Sequence, residues 1–297
     1  MRSRPTVSVI ICTRHRPALL RQSLACLRSL NPAADEIIVV DNTAGEPACR
    51  ALADEFGVRY LFEPVEGLSR ARNRGMAAAT CEIVAFLDDD SLPLEDWLRR
   101  LAEPFAASDV AIVTGDIYVQ SADVPAPADL APTRSLCNRD PEWFEMATYG
   151  GLGTGSNMAL RKALIAGWQG FDARLGRGTP LRIAEESHAF ALLLDRGLRA
   201  VHVPAAIVLH PSGPRDVLQE ATCSFAYWLL LFFEFPAHRG DLVRFLTRRL
   251  RRKRLAWPRN PQGPGEVILS GWRVYVQAGI NGALLYLRNR RPKPWLL

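Results

Sequence analysis

Asp88, Asp89 and Asp90 form an unbroken run of carboxylates directly after the apolar residues 83–87. A five-residue apolar run predicts a buried strand of a parallel sheet, and ligands of open α/β sheets gather beyond the carboxyl ends of such strands. Three adjacent carboxylates repel one another unless a cation neutralises them. Hard oxygen ligands of this kind suit Mg²⁺ or Mn²⁺, and Mg²⁺ usually brings substrate phosphates with it. The plain alternative is a solvated acidic turn before a helix starting near Pro93-Leu94; the strand-end position argues against it. A second acidic pair, Glu185-Glu186, stands at the start of a helical pattern over 184–196. Neighbours on a helix point to different faces, so only one of the two can reach a substrate. The other complements the helix dipole, a role that suits Glu185 better. His210 closes an apolar segment. It is either a metal ligand, since imidazole is acceptable to Mn²⁺, or a structural histidine ahead of Pro211.

The pattern around these residues alternates strand and helix. Strands are expected at 7–12, 36–40, 58–62, 82–87 and 110–115, with helices at 17–30, 47–56, 68–79 and 94–106 between them. Leu20, Leu24, Leu27 and Leu30 fall at helical spacing, and Trp97, Leu98 and Leu101 face inward on the fourth helix. Repeated βα units imply a mostly parallel sheet with right-handed crossovers. Residues 120–148 read as an irregular excursion, after which a strand resumes at 156–160. A helix at 184–196 follows, closed by Gly197, then two short strands at 200–203 and 206–210.

With 48% hydrophobic residues the 297-residue chain can fill a full core. Six cysteines lie scattered without a C-x-x-C pair, and no apolar leader precedes the first strand. Both features predict a cytoplasmic protein with reduced thiols. The net charge of +6 is unevenly spread: residues 1–238 hold 23 Lys+Arg against 29 Asp+Glu, residues 239–297 hold 14 against 2. Residues 222–235 are densely apolar and aromatic, and a second apolar stretch, 267–287, is broken by Arg273, Gln277 and Asn281. The first is shorter than the ~20 residues a spanning helix needs. Aromatic apolar faces beside arginines fit a helix lying on an anionic membrane surface; core packing is the alternative. Nucleic acid is not expected, because no recognition motif accompanies the arginines. The expected division is a body at 1–213 and a helical basic extension at 214–297. A dinucleotide-dependent oxidoreductase is excluded by the turn after the first strand, since residues 12–17 contain no glycine where G-x-G-x-x-G is required.

Eight motifs occur in order: Val7-Ser8-Val9-Ile10-Ile11-Cys12-Thr13, Val39-Val40-Asp41-Asn42, Gly67-Leu68-Ser69-Arg70-Ala71-Arg72-Asn73-Arg74-Gly75, Phe86-Leu87-Asp88-Asp89-Asp90, Gly155-Ser156-Asn157-Met158-Ala159, Gly170-Phe171-Asp172, Glu185-Glu186 and His210-Pro211. Over residues 6–211 the sequence resembles the family 2 glycosyltransferases of GT-A fold. The resemblance implies a Rossmann-like three-layer α/β sandwich, an inverting reaction, a divalent metal and a nucleotide-sugar donor, a UDP-sugar first. The acceptor would be a glycan, a lipid-linked glycan or a small molecule. It further implies Asp90 as the direct metal ligand, Asp88 at the ribose or the metal's water shell, and His210 completing the metal site. Thr13 and Asp41 would meet the base and ribose. Arg72, Asn73 and Asn157 would border the nucleotide, and Trp143 and Trp168 are candidates for the acceptor wall. Glu186 stands at the catalytic position, where the family pattern is Glu-Asp with another Asp two residues on. Here the residues read Glu185-Glu186-Ser187-His188. The base is one methylene longer and the later acid is a histidine.

Overall fold

A computed structural model describes residues 4–43, 47–212, 216–251 and 268–278. The first half alternates as expected: β1 (Val7–Thr13), α1 (Pro17–Arg28), β2 (Glu36–Asp41), α2 (Pro47–Phe56), β3 (Arg59–Phe62), α3 (Leu68–Ala78) and β4 (Ile83–Asp88). A two-residue strand β5 (Leu92–Pro93) intervenes before α4 (Trp97–Ala102), which therefore starts later than its sequence suggests. Next come β6 (Val110–Val119), β7 (Arg134–Leu136), α5 (Trp143–Thr148), β8 (Asn157–Arg161), α6 (Glu185–Asp195) and β9 (Arg199–His210). The remaining described residues form α7 (Val217–Glu234), α8 (Arg239–Arg251) and a helical stretch at 268–278.

The strands form one sheet in the order β3-β2-β1-β4-β8-β6-β9-β5, with β7 added against β9. β1 to β4 pair in parallel and so do β6 and β9, but β8 runs antiparallel between β4 and β6. The parallel half is the Rossmann-like unit, and β8 closes it onto the second half. Alternate strand residues feed two cores. Val9, Ile11, Val39 and Leu87 meet α1, α2 and α4 through Leu24, Cys49 and Trp97. Ile10, Val40, Val84 and Phe86 meet α3, α5, α6 and α7 through Ala71, Phe144, Phe190 and Leu230. The result is three layers, helices on both faces of the sheet. Gly75 lets α3 lie close on β1: a Cβ there would stand 2.5 Å from Ile10 Cγ2.

Two expectations are corrected. Residues 120–148 hold β7 and α5 rather than irregular chain only, and the two short strands at 200–210 are one continuous β9. β9 pairs with β6 along its length through two register shifts, one of them between Gly115 and Ile117, so an internal irregularity does not break it. No helix among the described residues is long and apolar enough to cross a membrane. Residues 267 and 279–287 of the second apolar stretch, and the expected boundary at 213, lie outside the described residues.

Candidate active site

The carboxylate triplet sits where β4 ends. β4 pairs with β1 so that Cys12 lies opposite Asp88, which places Thr13 and the triplet at neighbouring strand ends. The chain then turns, with the Ser91 N–H bonded to the Asp88 carbonyl at 3.2 Å. β5 pairs antiparallel with the end of β9, Leu92 opposite Leu209. That pairing carries His210 to Asp90, with 3.1 Å between His210 Nε2 and Asp90 Oδ1. Asp88, Asp90 and His210 each offer an atom within 4.8 Å of the others. Asp90 Oδ1 is buried and makes no hydrogen bond of normal geometry despite the nearby nitrogen. Two carboxylates and an imidazole converging in this way are a donor set suited to Mn²⁺ or Mg²⁺.

The middle aspartate does something else. Asp89 Oδ2 accepts from the Thr13 hydroxyl at 2.7 Å and Oδ1 from Arg16 Nη1 at 3.2 Å, while Arg16 also reaches Asp90 Oδ2 at 2.8 Å. Burial pushes the Asp89 carboxyl up to about 6, with the Thr13 and Arg16 contacts opposing the shift. Burial also opposes ionisation of Asp90, yet the His210 contact and the Arg16 charge win and hold it below the usual carboxylate range. The same Asp90 carboxylate raises the His210 imidazole above its ordinary value. Ser23 of α1 donates between the carbonyls of Asp89 and Ser91, at 2.9 and 2.8 Å, fixing the turn from behind.

Arg72 joins the triplet to the second acidic pair. It is buried, and donates from Nη1 to Glu185 Oε1 at 2.7 Å and from Nη2 to Asp88 Oδ1 at 3.4 Å. Burial disfavours its charge, but Glu185 and Asp88 more than compensate and keep the guanidinium protonated. Gly155 lies against it, where a Cβ would come within 2.7 Å of the guanidinium nitrogens. Glu185 is thereby spent on an ion pair. Glu186, next in the first turn of α6, keeps some surface and receives a backbone N–H from Gly155. Burial first, and Glu185 second, raise its carboxyl to about 7, where it can both take and release a proton near neutrality.

A cleft of about 860 Å³ opens over the triplet. Of the residues expected to bind, Thr13, Asp88 and Asp90 line it; Arg72 and His210 touch that lining from behind at Asp88 and Asp90. Three others are placed elsewhere. Both Asp41 oxygens are engaged in its own layer, Oδ1 by the Thr43 N–H and hydroxyl and Oδ2 by the Tyr60 hydroxyl at 2.9 Å, so Asn42 faces the cleft instead. Asn73 clips α3 to the G-F-D loop, giving and receiving 2.8 Å bonds with the backbone of Phe171. Asn157 is a buried latch: Oδ1 accepts from Trp97 Nε1 at 2.8 Å, and Nδ2 donates to the carbonyls of Asp116 and Ala206. Trp143 and Trp168 pack in the core. His188, at the altered acidic position, bonds Glu234 of α7 at 3.0 Å.

Sequence reading missed Arg14, Arg16 and Arg177, which line the cleft, and the first turns of α7, which wall it through Asp216, Gln219, Glu220 and Cys223. The T-R-x-R run after β1 was the one available signal for the first two. Arg177 and α7 reach the cleft only through tertiary packing.

A family model for Glycosyl transferase family 2 matches residues 8–167. The succinoglycan biosynthesis protein ExoM of Rhizobium meliloti is 35% identical over 119 residues, covering 37% of this chain and 38% of that protein. The pre-mycofactocin glycosyltransferase of Mycobacterium tuberculosis is 29% identical over 213 residues, covering 69% of this chain and 42% of that protein. These matched stretches thus span less than half of either curated relative. The mannosyltransferase PcManGT of Pyrobaculum calidifontis, solved with GDP-Man and Mn²⁺, shares the fold with a TM-score of 0.61 at 19% identity, covering 99% of this chain and 82% of that one. The carboxylate turn, its neighbouring acidic helix and the family match over more than half the sequence agree: this chain belongs to glycosyl transferase family 2.

Proposed function

We propose that the protein is a metal-dependent, inverting glycosyltransferase that moves a sugar from a nucleoside-diphosphate donor to an acceptor hydroxyl. The observation that carries this reading is the meeting of Asp88, Asp90 and His210 at the strand ends, linked through Arg72 to the helix bearing Glu186. Those three residues would hold Mn²⁺ or Mg²⁺, which supplies neutralising charge for the departing diphosphate. Arg16 and Arg177 add positive charge at the same rim, and both lower the Asp90 carboxyl. Thr13 and Asn42 line the part of the cleft that would receive the nucleoside, with a UDP-sugar as the first expected donor. Glu186 accepts the proton of the acceptor hydroxyl. The acceptor oxygen then bonds to the anomeric carbon as the bond to the diphosphate oxygen breaks, its electron pair leaving with the diphosphate. Attack in line with that bond inverts the anomeric centre.

The relative named for succinoglycan biosynthesis supports a saccharide acceptor, free or lipid-linked. The relative named for pre-mycofactocin supports a small natural product as the second reading. Purified protein incubated with Mn²⁺ and a panel of UDP-, GDP- and dTDP-sugars tests the donor half without knowledge of the acceptor. Metal-dependent retention or slow hydrolysis of one donor is expected, lost with chelator and with Asp90→Ala. Donor retention that is equal in wild type and Asp90→Ala would refute the metal site, and retention of no donor would refute the function.

A further inference from the structure

The last described stretch, 268–278, is apolar on two faces. Gly271 and Ala278 are buried, and Val274 and Tyr275 pack on the core. Gly271 brings the helix close to α7: a Cβ there would fall 2.6 Å from the Phe225 ring. The opposite side repeats Ile268, Leu269, Trp272 and Val276 at helical spacing, each at least 40% exposed. Ser270, Arg273 and Gln277 form the polar strip between these two faces, so the helix carries a second apolar face beyond the one it buries in the core. The exposed stripe continues onto α7, because Phe233 (48% exposed) stacks on Tyr275 at 5.8 Å and Trp272 meets the same ring edge-on at 5.9 Å. Five of the nine exposed large hydrophobic residues among those described lie on this one surface. That is a patch rather than scatter.

Its rim is basic. Arg273 is exposed beside Trp272, and Arg239 is exposed with its guanidinium 4.8 Å over the Phe232 ring. The adjacent Glu234 is already occupied by Arg174 and His188, and Asp241 by Arg244 and His238. Residues 239–297 together hold 14 Lys+Arg against 2 Asp+Glu. No helix among the described residues is long and apolar enough to cross a membrane. We propose that the face formed by Phe233, Ile268, Leu269, Trp272 and Val276, with Arg239 and Arg273 at its edge, docks the enzyme on an anionic lipid surface. Aromatic rings settle at headgroup depth, the aliphatic stripe enters the acyl boundary, and the arginines meet lipid phosphates.

Vesicle co-sedimentation of the full chain tests this without any transferase assay. Binding is expected to vesicles of phosphatidylglycerol and phosphatidylcholine in equal parts, to fall as salt rises, and to be weak on phosphatidylcholine alone. Leu269→Ser with Trp272→Ser should lower the bound fraction by about tenfold or more. Arg273→Glu, at an exposed position, should weaken it on the order of tenfold and decides the matter alone if the double variant does not fold. Thermal melts and donor retention should stay as in the wild type. Failure to bind anionic vesicles, equal binding to neutral ones, or binding indifferent to both variants would overturn the proposal. So would a dimer in solution that the same substitutions dissociate and that binds neither vesicle, since the face would then belong to a second copy.

Discussion

Glu186 holds its proton to a higher pH than an exposed glutamate because protein surrounds it and Glu185 lies alongside. A raised folded-state pKa has two consequences of opposite sign. The stability contribution is fully present below the unfolded value near 4.5 and is lost as pH rises through about 7. Base catalysis needs the ionised form and so gains over that same interval. The expected kcat profile therefore rises with a limb near 7, while denaturation midpoints drift downward. Glu186→Gln should abolish the limb, lower kcat by roughly 10²–10⁴-fold and flatten the stability drift; a variant that keeps the wild-type profile would show that another group takes the proton. The sequence assigns Glu185 to the helix dipole and Glu186 to the catalytic position, without the partner that holds Glu185 in place. That partner is the buried Arg72, 113 residues away in the chain, and no local pattern in the sequence announces the pair. Asn157 teaches the reverse lesson. Its motif pointed to the nucleotide, but its amide ties α4, β6 and β9 together. Asn157→Ala is expected to cost about 3 kcal/mol of stability by leaving buried groups unpaired, with donor affinity unchanged in a binding titration.

Among the elements, those with a strong period were readable and those fixed by partners were not. β1, β2 and β4 are apolar runs buried on both faces, and α1 repeats leucines at helical spacing from Pro17 onward. β5 has only two residues and no pattern, yet its pairing with β9 is what brings His210 to Asp90. α4 begins at Trp97 because β5 and the turn after it use the residues that sequence reading gave to the helix. The loop before β8 shows how an element is tuned by a single small residue. Gly155 leaves room for the Arg72 guanidinium, and a methyl group there would stand 2.7 Å from its nitrogens. Gly155→Ala should push Arg72 out of its bridge between Glu185 and Asp88. A displacement of that size costs up to about 10²-fold in kcat, and the variant should lose far less in donor Kd than in kcat. Equal losses in both would place Gly155 in donor binding instead.

At the scale of the whole molecule, the expected division at residue 213 does not describe how the core is built. α7 contributes Ala226, Tyr227, Leu230 and Leu231 to the same cluster that holds Phe86, Phe144 and Phe190. Its first turns wall the cleft, and Glu234 near its end binds His188 of α6 and Arg174 of the preceding loop. The extension was expected to be either a membrane attachment or a part of the core; α7 is part of the core on its inner side, and the outer apolar face remains beside it. Composition alone could not separate these readings, because a dense apolar run serves either surface and only packing says which residues turn inward. A core shared in this way should unfold as one unit. Denaturant titration of the full chain, followed by fluorescence and by far-UV circular dichroism, is expected to give coincident single transitions. Leu231→Ala should shift that whole transition by about 3 kcal/mol, the usual cost of a buried leucine cavity, rather than loosen α7 alone. Truncation after residue 213 should leave the Phe144 and Phe190 face uncovered and give a chain that aggregates or melts well below the parent. Two separate transitions, or a truncated chain as stable as the full one, would show that α7 is an appendage and that α6 is held in place without it.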